Sequence, residues 1–398
     1  MKKITLLFKL LIVISLILIP GLTVSTQVKT PETQPVPVDL EVLFAPIPVK
    51  AMDKTNLVYE LHITNFSPSN LALTGVEVLN DANSASLAIY RGEEVVKRLA
   101  VLNFSNDKQE KNVIGGGQRA VVFLMVSVDA AKMPTALRHR LFFKSADKPT
   151  DADNKEPAKE QIVEDMRVEV QIGAPLVVAP PLRGRWLAGN GLSNDTGHRR
   201  SIKAIGGHAK IAQRFATDWV ELGNDGRLAR NGDMSQNANY YGYGAEVLAV
   251  ANATVIDVKD GIPENISQIK KRAVPITLET IAGNYVLLDI GGGRYALYAH
   301  LQPNSLKVKI GDKVKTGQVL GSVGNSGNSD LPHLHFHIVN AASPLAAEGV
   351  PYVLKSFNMQ GITKVDAEFI KNGFKPDASA ESKRQMEIPI QNAVVIFP

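Results

Sequence analysis

Short apolar segments separated by turn residues run through most of this chain. Between residues 39 and 175, about seven such segments are rich in Val, Leu, Ile and Phe. Their number and spacing are typical of a β-sandwich. The pattern predicts an N-terminal β-sandwich over residues 39–175, built from DLEVLFAPIPV, NLVYELHITNF, LALTGVEVLN, SLAIYRG, AVVFLMVSV, LRHRLFFKS and MRVEVQI.

A second strand-rich region follows Pro180-Pro181, which interrupts any regular element. Over residues 185–345 the pattern predicts a second, also all-β, domain with an antiparallel sheet. Three glycines at 291–293 separate two alternating segments and predict a hairpin turn. Residues 260–282 resemble an insertion between two strands. The pattern does not assign residues 346–398, which we treat as a C-terminal extension.

The N-terminal segment has the layout of a secretory signal. Lys2, Lys3 and Lys9 precede an apolar run that extends from Leu10 to Ile19. Pro-Gly and small residues follow this run. We predict a signal peptide at residues 1–25 and a Pro-rich linker at 26–38. An uncleaved membrane anchor is the alternative. In either case the protein is expected to be exported, to the periplasm or the extracellular space.

Composition narrows the chemistry. The absence of cysteine excludes a disulfide scaffold, a cysteine nucleophile and a thiolate zinc site. Three of the 44 basic residues lie in the predicted signal, so the remaining chain carries 41 basic and 39 acidic side chains. This balance provides no electrostatic case for a nucleic-acid partner. A membrane contact is expected only through the signal or anchor.

Six of the eight histidines lie between residues 198 and 337, which indicates a site in the second domain. Within the segment PHLHFHI, His333, His335 and His337 alternate with apolar residues. In a strand such residues share one face, and burying three imidazoles without a partner would be costly. A metal ion or a water-filled groove would remove that cost. The alternative is a solvent-facing strand that happens to be rich in histidine.

Two more residues belong to this candidate site. His300 ends the second strand of the glycine hairpin and is a candidate acid or base. Asp218 lies in an otherwise apolar strand, where a carboxylate needs a cation or several donors. It could pair with a neighbouring arginine instead. Two histidines, one aspartate and an open position for water make a plausible catalytic zinc set.

The ordered set of motifs resembles the lysostaphin-type (LytM-like) zinc metallopeptidases, which cut peptide cross-links in bacterial cell walls. The resemblance covers about residues 185–345. It rests on YGYGAEVLAVANATV, NYVLLDIGGGRYALYAHL and VKIGDKVKTGQVLGSVG, and above all on GNSGNSDLPHLHF at residues 324–336. A single His-x-His is a weak signal, whereas the whole ordered set is specific.

The resemblance implies roles for individual residues. Asp218 and His335 would bind Zn²⁺, and His300 and His333 would be catalytic. The family's early motif is His-x-x-x-Asp, but the residue four before Asp218 is Arg214. The missing ligand therefore has to come from elsewhere. We favour His198, because related proteins with an extended loop have a similar Ser-Asn-x-x-x-His-Arg-Arg arrangement.

Two other positions stay open. His208, next to two glycines at a predicted hairpin tip, is the alternative first ligand. His337 stands where the family commonly has an acidic or polar residue. It could support a ligand or be one.

The resulting hypothesis is an exported zinc-dependent endopeptidase acting on peptidoglycan peptides or another exported peptide. The sequence contains no His-Glu-x-x-His, Gly-x-Ser-x-Gly or Walker motif, so these enzyme classes lack support. The alternative is a zinc-free LytM-like domain that binds and activates another cell-wall hydrolase. The N-terminal sandwich contains no catalytic constellation, and we expect it to dock a protein partner or to control access.

Overall fold

Strands dominate the computed structural model, as the alternating pattern predicts. The structure describes residues 36–102, 110–147, 159–230, 233–376, 379 and 381–398. The predicted signal peptide and residues 26–35 of the predicted linker lie outside these residues. Val36–Pro398 form one compact unit. Among the described residues, no helix is long and apolar enough to cross a membrane.

The first half of the described chain contains ten strands and one short α-helix. They are β1 (Val38–Glu41), β2 (Pro48–Ala51), β3 (Lys54–Asn65), β4 (Leu71–Asn80), β5 (Ser86–Arg91), α1 (Glu93–Arg98), β6 (Leu99–Val101), β7 (Val113–Ile114), β8 (Arg119–Val128), β9 (Ala136–Ser145) and β10 (Gln161–Glu169).

The second half contains fifteen strands and one short α-helix among its described residues. They are β11 (Val177–Val178), β12 (Gly184–Gly189), β13 (Lys203–Ile205), β14 (His208–Lys210), β15 (Thr217–Glu221), β16 (Glu246–Leu248), β17 (Ala253–Lys259), β18 (Asn284–Gly291), β19 (Arg294–Leu301), β20 (Lys313–Val314), β21 (Val319–Ser322), β22 (Leu334–Val339), β23 (Val353–Ile362), α2 (Ala367–Asn372), β24 (Ser382–Glu387) and β25 (Ala393–Phe397).

Two five-stranded sheets form the N-terminal part. One has the order β1-β3-β8-β6 with β2 on β3, and the other has the order β10-β9-β4-β5 with β7 on β4. Alternate residues of β3, such as Leu57, Tyr59 and Leu61, point into one apolar core between the two sheets. This is a sandwich arrangement, and we call this part the N-terminal sandwich.

Strand β3 is buried on both of its faces. Its other face carries Val58, which packs with Met125 of β8 against the core of the second half. The same face carries Glu60, which is only 3% exposed. A strand between two packed layers explains why even its polar residues are shielded from water. The N-terminal sandwich therefore shares a buried interface with the remainder of the compact unit.

An eleven-stranded sheet organises the second half, in the order β11-β23-β25-β12-β15-β22-β19-β18-β17-β20, with β24 on β23. The residues after 345 contribute β23, β24 and β25 to this sheet, and β25 pairs directly with β12. The C-terminal extension is thus continuous with the sheet that carries the site. Residues 260–283 join β17 to β18 without forming a strand, as expected for an insertion.

The predicted glycine hairpin is confirmed. Strands β18 and β19 pair in antiparallel fashion on either side of it. Gly291, Gly292 and Gly293 have φ angles of 85°, 61° and 68°. All three lie in the left-handed region, which glycine adopts without steric cost. The turn places β19, and His300 near its end, next to β22.

Candidate metal centre

Two neighbouring strands bring Asp218 and His335 together. Strand β15 pairs antiparallel with β22, and Asp218 lies directly opposite His335 in this register. The Nδ1 atom of His335 lies 2.9 Å from Oδ1 of Asp218. Directly opposed residues of antiparallel strands have neighbouring side chains on one face. The sheet alone therefore positions two of the predicted ligands.

The third predicted ligand, His198, comes from a loop. Residues 190–202 follow β12 and form no helix or strand. His198 Nε2 lies 3.3 Å from Oδ2 of Asp218. Ligand atoms of His198, Asp218 and His335 all lie within 4.8 Å of one another. The structure thus brings the proposed His-Asp-His set together from a loop and two strands.

The surroundings of these side chains fit a bound cation. His198 Nδ1 lies 3.2 Å from the Asn190 carbonyl oxygen, so we assign the ring proton to Nδ1. His335 Nε2 lies 2.9 Å from His337 Nδ1, and we assign a proton to Nε2. The unprotonated nitrogens of both rings then face the Asp218 carboxylate. A positive charge between them would stabilise lone pairs that face one another. Hydrogen bonds such as those to the Asn190 carbonyl and to His337 orient metal-bound histidines.

Protonation states agree with this assignment. Burial lowers the pKa of His198 to about 4, although the Asp218 charge opposes the shift. Burial also disfavours the charged form of Asp218, but the positive charge that His198 and His333 carry when protonated holds the pKa of its carboxyl well below the usual range. At neutral pH the site therefore offers a neutral imidazole and a carboxylate. These are the forms in which the two side chains bind metals.

A β-bulge aims His300 at the same place. Asn284 pairs with Leu301 but Val286 pairs with Tyr298, so β19 has one extra residue at this point. His300 has a φ of 64°, which is uncommon for a residue other than glycine. Its Nδ1 lies 2.8 Å from the Ser326 carbonyl oxygen. Bulges of this kind redirect a side chain next to a functional site.

His333 lies beside His300, with ring centroids 4.8 Å apart. Its Nδ1 contacts the Leu331 carbonyl oxygen at 2.8 Å, and its Nε2 lies 3.3 Å from Asp218 Oδ1. Burial alone would lower the pKa of His333. The Asp218 carboxylate outweighs burial, and the pKa is raised. This shift depends on the full negative charge of Asp218, which a cation bound to the same carboxylate would offset.

All of the predicted site residues line one groove with a volume of about 680 Å³. The insertion and the C-terminal extension also contribute to its walls, through residues such as Ala282 and Asn392. Among the described residues, Asp218 contacts Asn190 and three histidines rather than an arginine. Sequence reasoning did not identify Asn190, whose amide donates to Asp218 at 2.8 Å, because no motif marks it.

The alternative first ligand, His208, lies on the exposed hairpin β13–β14 and is not among the residues lining the groove. We expect His198→Ala to reduce zinc content from about one ion per chain to a small fraction of that, because it removes one of three protein ligands. His208→Ala is the matched control and should retain full zinc. Metal analysis of the two purified variants measures the difference. The opposite pattern would assign the ligand to His208.

His337 is fully buried, and its Nδ1 faces the outer nitrogen of His335. We expect His337→Leu to weaken zinc binding by about 10- to 100-fold, because the His335 ring loses the partner that orients it. His337→Gln keeps a hydrogen-bond acceptor and should retain most of the affinity. Chelator competition measures both values. Equal affinity of the two variants and the wild type would contradict a supporting role for His337.

Comparison with known proteins shows that part of this region is similar to a known family. Residues 240–347 match the family model for Peptidase family M23. The matched segment contains His300, His333 and His335, whereas Asp218 and His198 precede it. The resemblance to lysostaphin-type peptidases predicted from the motifs is therefore confirmed.

Individual relatives match over short stretches. The peptidoglycan DD-endopeptidase ShyA of Vibrio cholerae is 39% identical over 66 residues, which are 17% of this chain and 15% of ShyA. Lysostaphin of Staphylococcus simulans is 41% identical over 76 residues, which are 19% of this chain and 15% of lysostaphin. The matches thus span about one seventh of these relatives. The solved catalytic domain of S. simulans lysostaphin aligns with 42% of this chain and 88% of its own length, at 20% identity and a TM-score of 0.22.

Proposed function

We propose that this protein is an exported zinc-dependent endopeptidase that hydrolyses peptide bonds in peptidoglycan. One observation carries the proposal: His198, Asp218 and His335 present their ligand atoms within 4.8 Å of one another, and two further imidazoles adjoin them. The M23 match and the names of the peptidoglycan-cleaving relatives support the substrate class. The signal-like N-terminus supports export to the periplasm or the extracellular space.

The donor set suits zinc, which takes nitrogen and oxygen ligands and keeps an open position in catalytic sites. When bound there, zinc would polarise the scissile carbonyl and lower the pKa of a water molecule to about 7. Asn190 and His337 would hold the ligands in orientation.

His300 and His333 would take part in different proton transfers. With Nδ1 of His300 directed at the Ser326 carbonyl, its Nε2 is free to accept the proton of the attacking water. Burial lowers the pKa of His300 well below its usual value, so the neutral form is present at pH 7. His333, whose ring adjoins His300 and whose Nε2 lies 3.3 Å from Asp218, would donate to the developing oxyanion and later protonate the leaving amine.

The zinc-free activator is not favoured, because the described site retains a complete ligand set and both catalytic imidazoles. Zinc analysis and digestion of purified peptidoglycan by the chain from residue 26 onward test the proposal. We expect about one zinc per chain, new amino termini released from peptidoglycan, loss of this activity with a chelator and its return with zinc. Folded protein that binds no added zinc would overturn the proposal. Cleavage of a plain protein, with peptidoglycan left intact, would overturn the substrate class.

A further inference from the structure

The loop that carries His198 is attached to the N-terminal sandwich by the next residue in sequence. Arg199 is 1% exposed, and its guanidinium extends into the sandwich surface. There it donates to the carbonyl oxygens of Tyr59, at 2.8 Å, and Leu124, at 3.3 Å. It also forms an ion pair with Glu60. The loop therefore carries the proposed ligand, His198, directly before Arg199, which is buried in the sandwich and anchors the loop there.

Glu60 is central to this anchor. It lies on the outer face of β3, 3% exposed, and its carboxylate also pairs with Arg214 at 2.7 Å. Arg214 in turn pairs with Glu348 at 2.7 Å. Two arginines and two glutamates thus form a charge-balanced network inside the interface. Removing one member of such a network leaves a buried charge without compensation, which is strongly unfavourable.

The same network explains the departure from the family motif. Arg214 occupies the position four residues before Asp218, where the family has a histidine. Its side chain is directed to the sandwich rather than to Asp218. The residue that replaces the family's ligand therefore belongs to the interface that holds the substitute ligand loop.

A second set of contacts attaches the loop independently. Arg200 donates to the carbonyl oxygen of Lys97 and lies 5.0 Å from the Phe123 ring, on which Arg199 also rests at 5.2 Å. Ile202 packs on the apolar cluster formed by Phe123 and its neighbours on β8. Arg200 and Ile202 thus pack against the sandwich, whereas His198 of the same loop faces Asp218.

We propose that the N-terminal sandwich completes the metal centre, with Glu60 and Arg199 acting as positioning residues for His198. The inference rests on the proposed function in taking His198, Asp218 and His335 as the ligand set. Asp218 and His335 are held by paired strands. His198 lies on a loop without regular structure, whose order has to come from its contacts. The apparent metal affinity is proportional to the fraction of molecules in which the loop is held in place.

Two conservative variants test the anchor. Arg199→Lys keeps the positive charge but loses the planar fork that reaches the two carbonyls and Glu60. Glu60→Gln keeps the shape and removes the charge. Lys50→Met is the matched control, because it removes another ion pair between the sandwich and the large sheet, at 3.0 Å to Glu387, on strands that carry none of the site residues.

Hydrogen exchange of the metal-free chain from residue 26 onward, compared with zinc affinity from chelator competition, supplies the readouts. We expect Arg199→Lys and Glu60→Gln to accelerate exchange across residues 190–202, without change in β22, and to weaken zinc binding about 10-fold or more. Lys50→Met should change neither, even if it lowers the melting temperature. Exchange and affinity equal to those of the control would overturn the proposal.

These measurements distinguish failure of the proposed function from failure of the positioning role. Exchange is measured without metal, so it tests whether the sandwich orders the His198 loop even if the wild type binds no zinc. Absence of zinc from the folded wild type would overturn the proposed function. Normal zinc binding with an unchanged loop in both anchor variants would overturn only the positioning role.

Discussion

Replacing Asp218 by alanine is expected to remove zinc from the protein and to lower peptidoglycan hydrolysis by about 10³-fold or more. Its carboxylate lies within 3.3 Å of His198, His333 and His335. The substitution removes one ligand and leaves the imidazoles without the charge that balances a cation. Metal-assisted stabilisation of the transition state is worth several kcal/mol, and each 1.36 kcal/mol changes the rate about tenfold. Metal analysis and a peptidoglycan digestion assay measure the two losses.

Asp218→Asn and His335→Ala extend this test. Asn keeps the hydrogen-bonding shape but lacks the negative charge, so zinc should bind more weakly than in the wild type. His335→Ala should lose zinc as Asp218→Ala does. His208→Ala should match the wild type in both measurements, because His208 lies on the exposed hairpin. Full zinc content in Asp218→Ala would show that the carboxylate is not a ligand.

Removing His300 or His333 is expected to separate catalysis from metal binding. Both variants should retain about one zinc per chain while turnover falls by about 10²- to 10⁴-fold, the usual contribution of a general acid or base. His300→Asn is the informative substitution at its position. The backbone there has a φ of 64°, and asparagine tolerates the left-handed region better than most residues. The variant therefore removes the imidazole with little added backbone strain.

His333→Gln is the companion variant, and thermal unfolding of both proteins checks that the fold is retained. Zinc analysis alongside single-turnover kinetics distinguishes the roles. Loss of zinc from either variant would make that histidine a ligand instead of a catalytic group. Unchanged turnover would remove it from the proposed reaction.

Local periodicity was sufficient to predict which strand histidines come together in space. The two-residue repeat of a strand places His333, His335 and His337 together, and all three line the groove. The apolar neighbours of Asp218 indicated a buried carboxylate in need of partners, and β15 supplies it to the site. The glycine hairpin followed from the same reasoning. These features depend on neighbouring residues, whose geometry the chain itself restricts.

Other features depend on contacts between distant residues. The choice of His198 over His208 was left open by the residues themselves, because a loop histidine can lie anywhere that its anchors permit. Arg199 reaches residues about 140 positions away, on β3. The bulge that redirects His300 arises from an extra residue in the pairing of two strands. None of these arrangements produces a repeating pattern of residue types in the sequence.

The all-β class, the strand that carries the histidines and the types of side chain that gather there could all be predicted from the amino-acid sequence. These follow from side-chain type and a fixed repeat along the backbone. Three further features are visible only in the folded chain: the loop that lies against Asp218, the extension of the same sheet by residues after 345, and the burial of a second layer against β3. Those outcomes depend on which surfaces pack together and which buried charges find partners, and both are properties of the assembled chain.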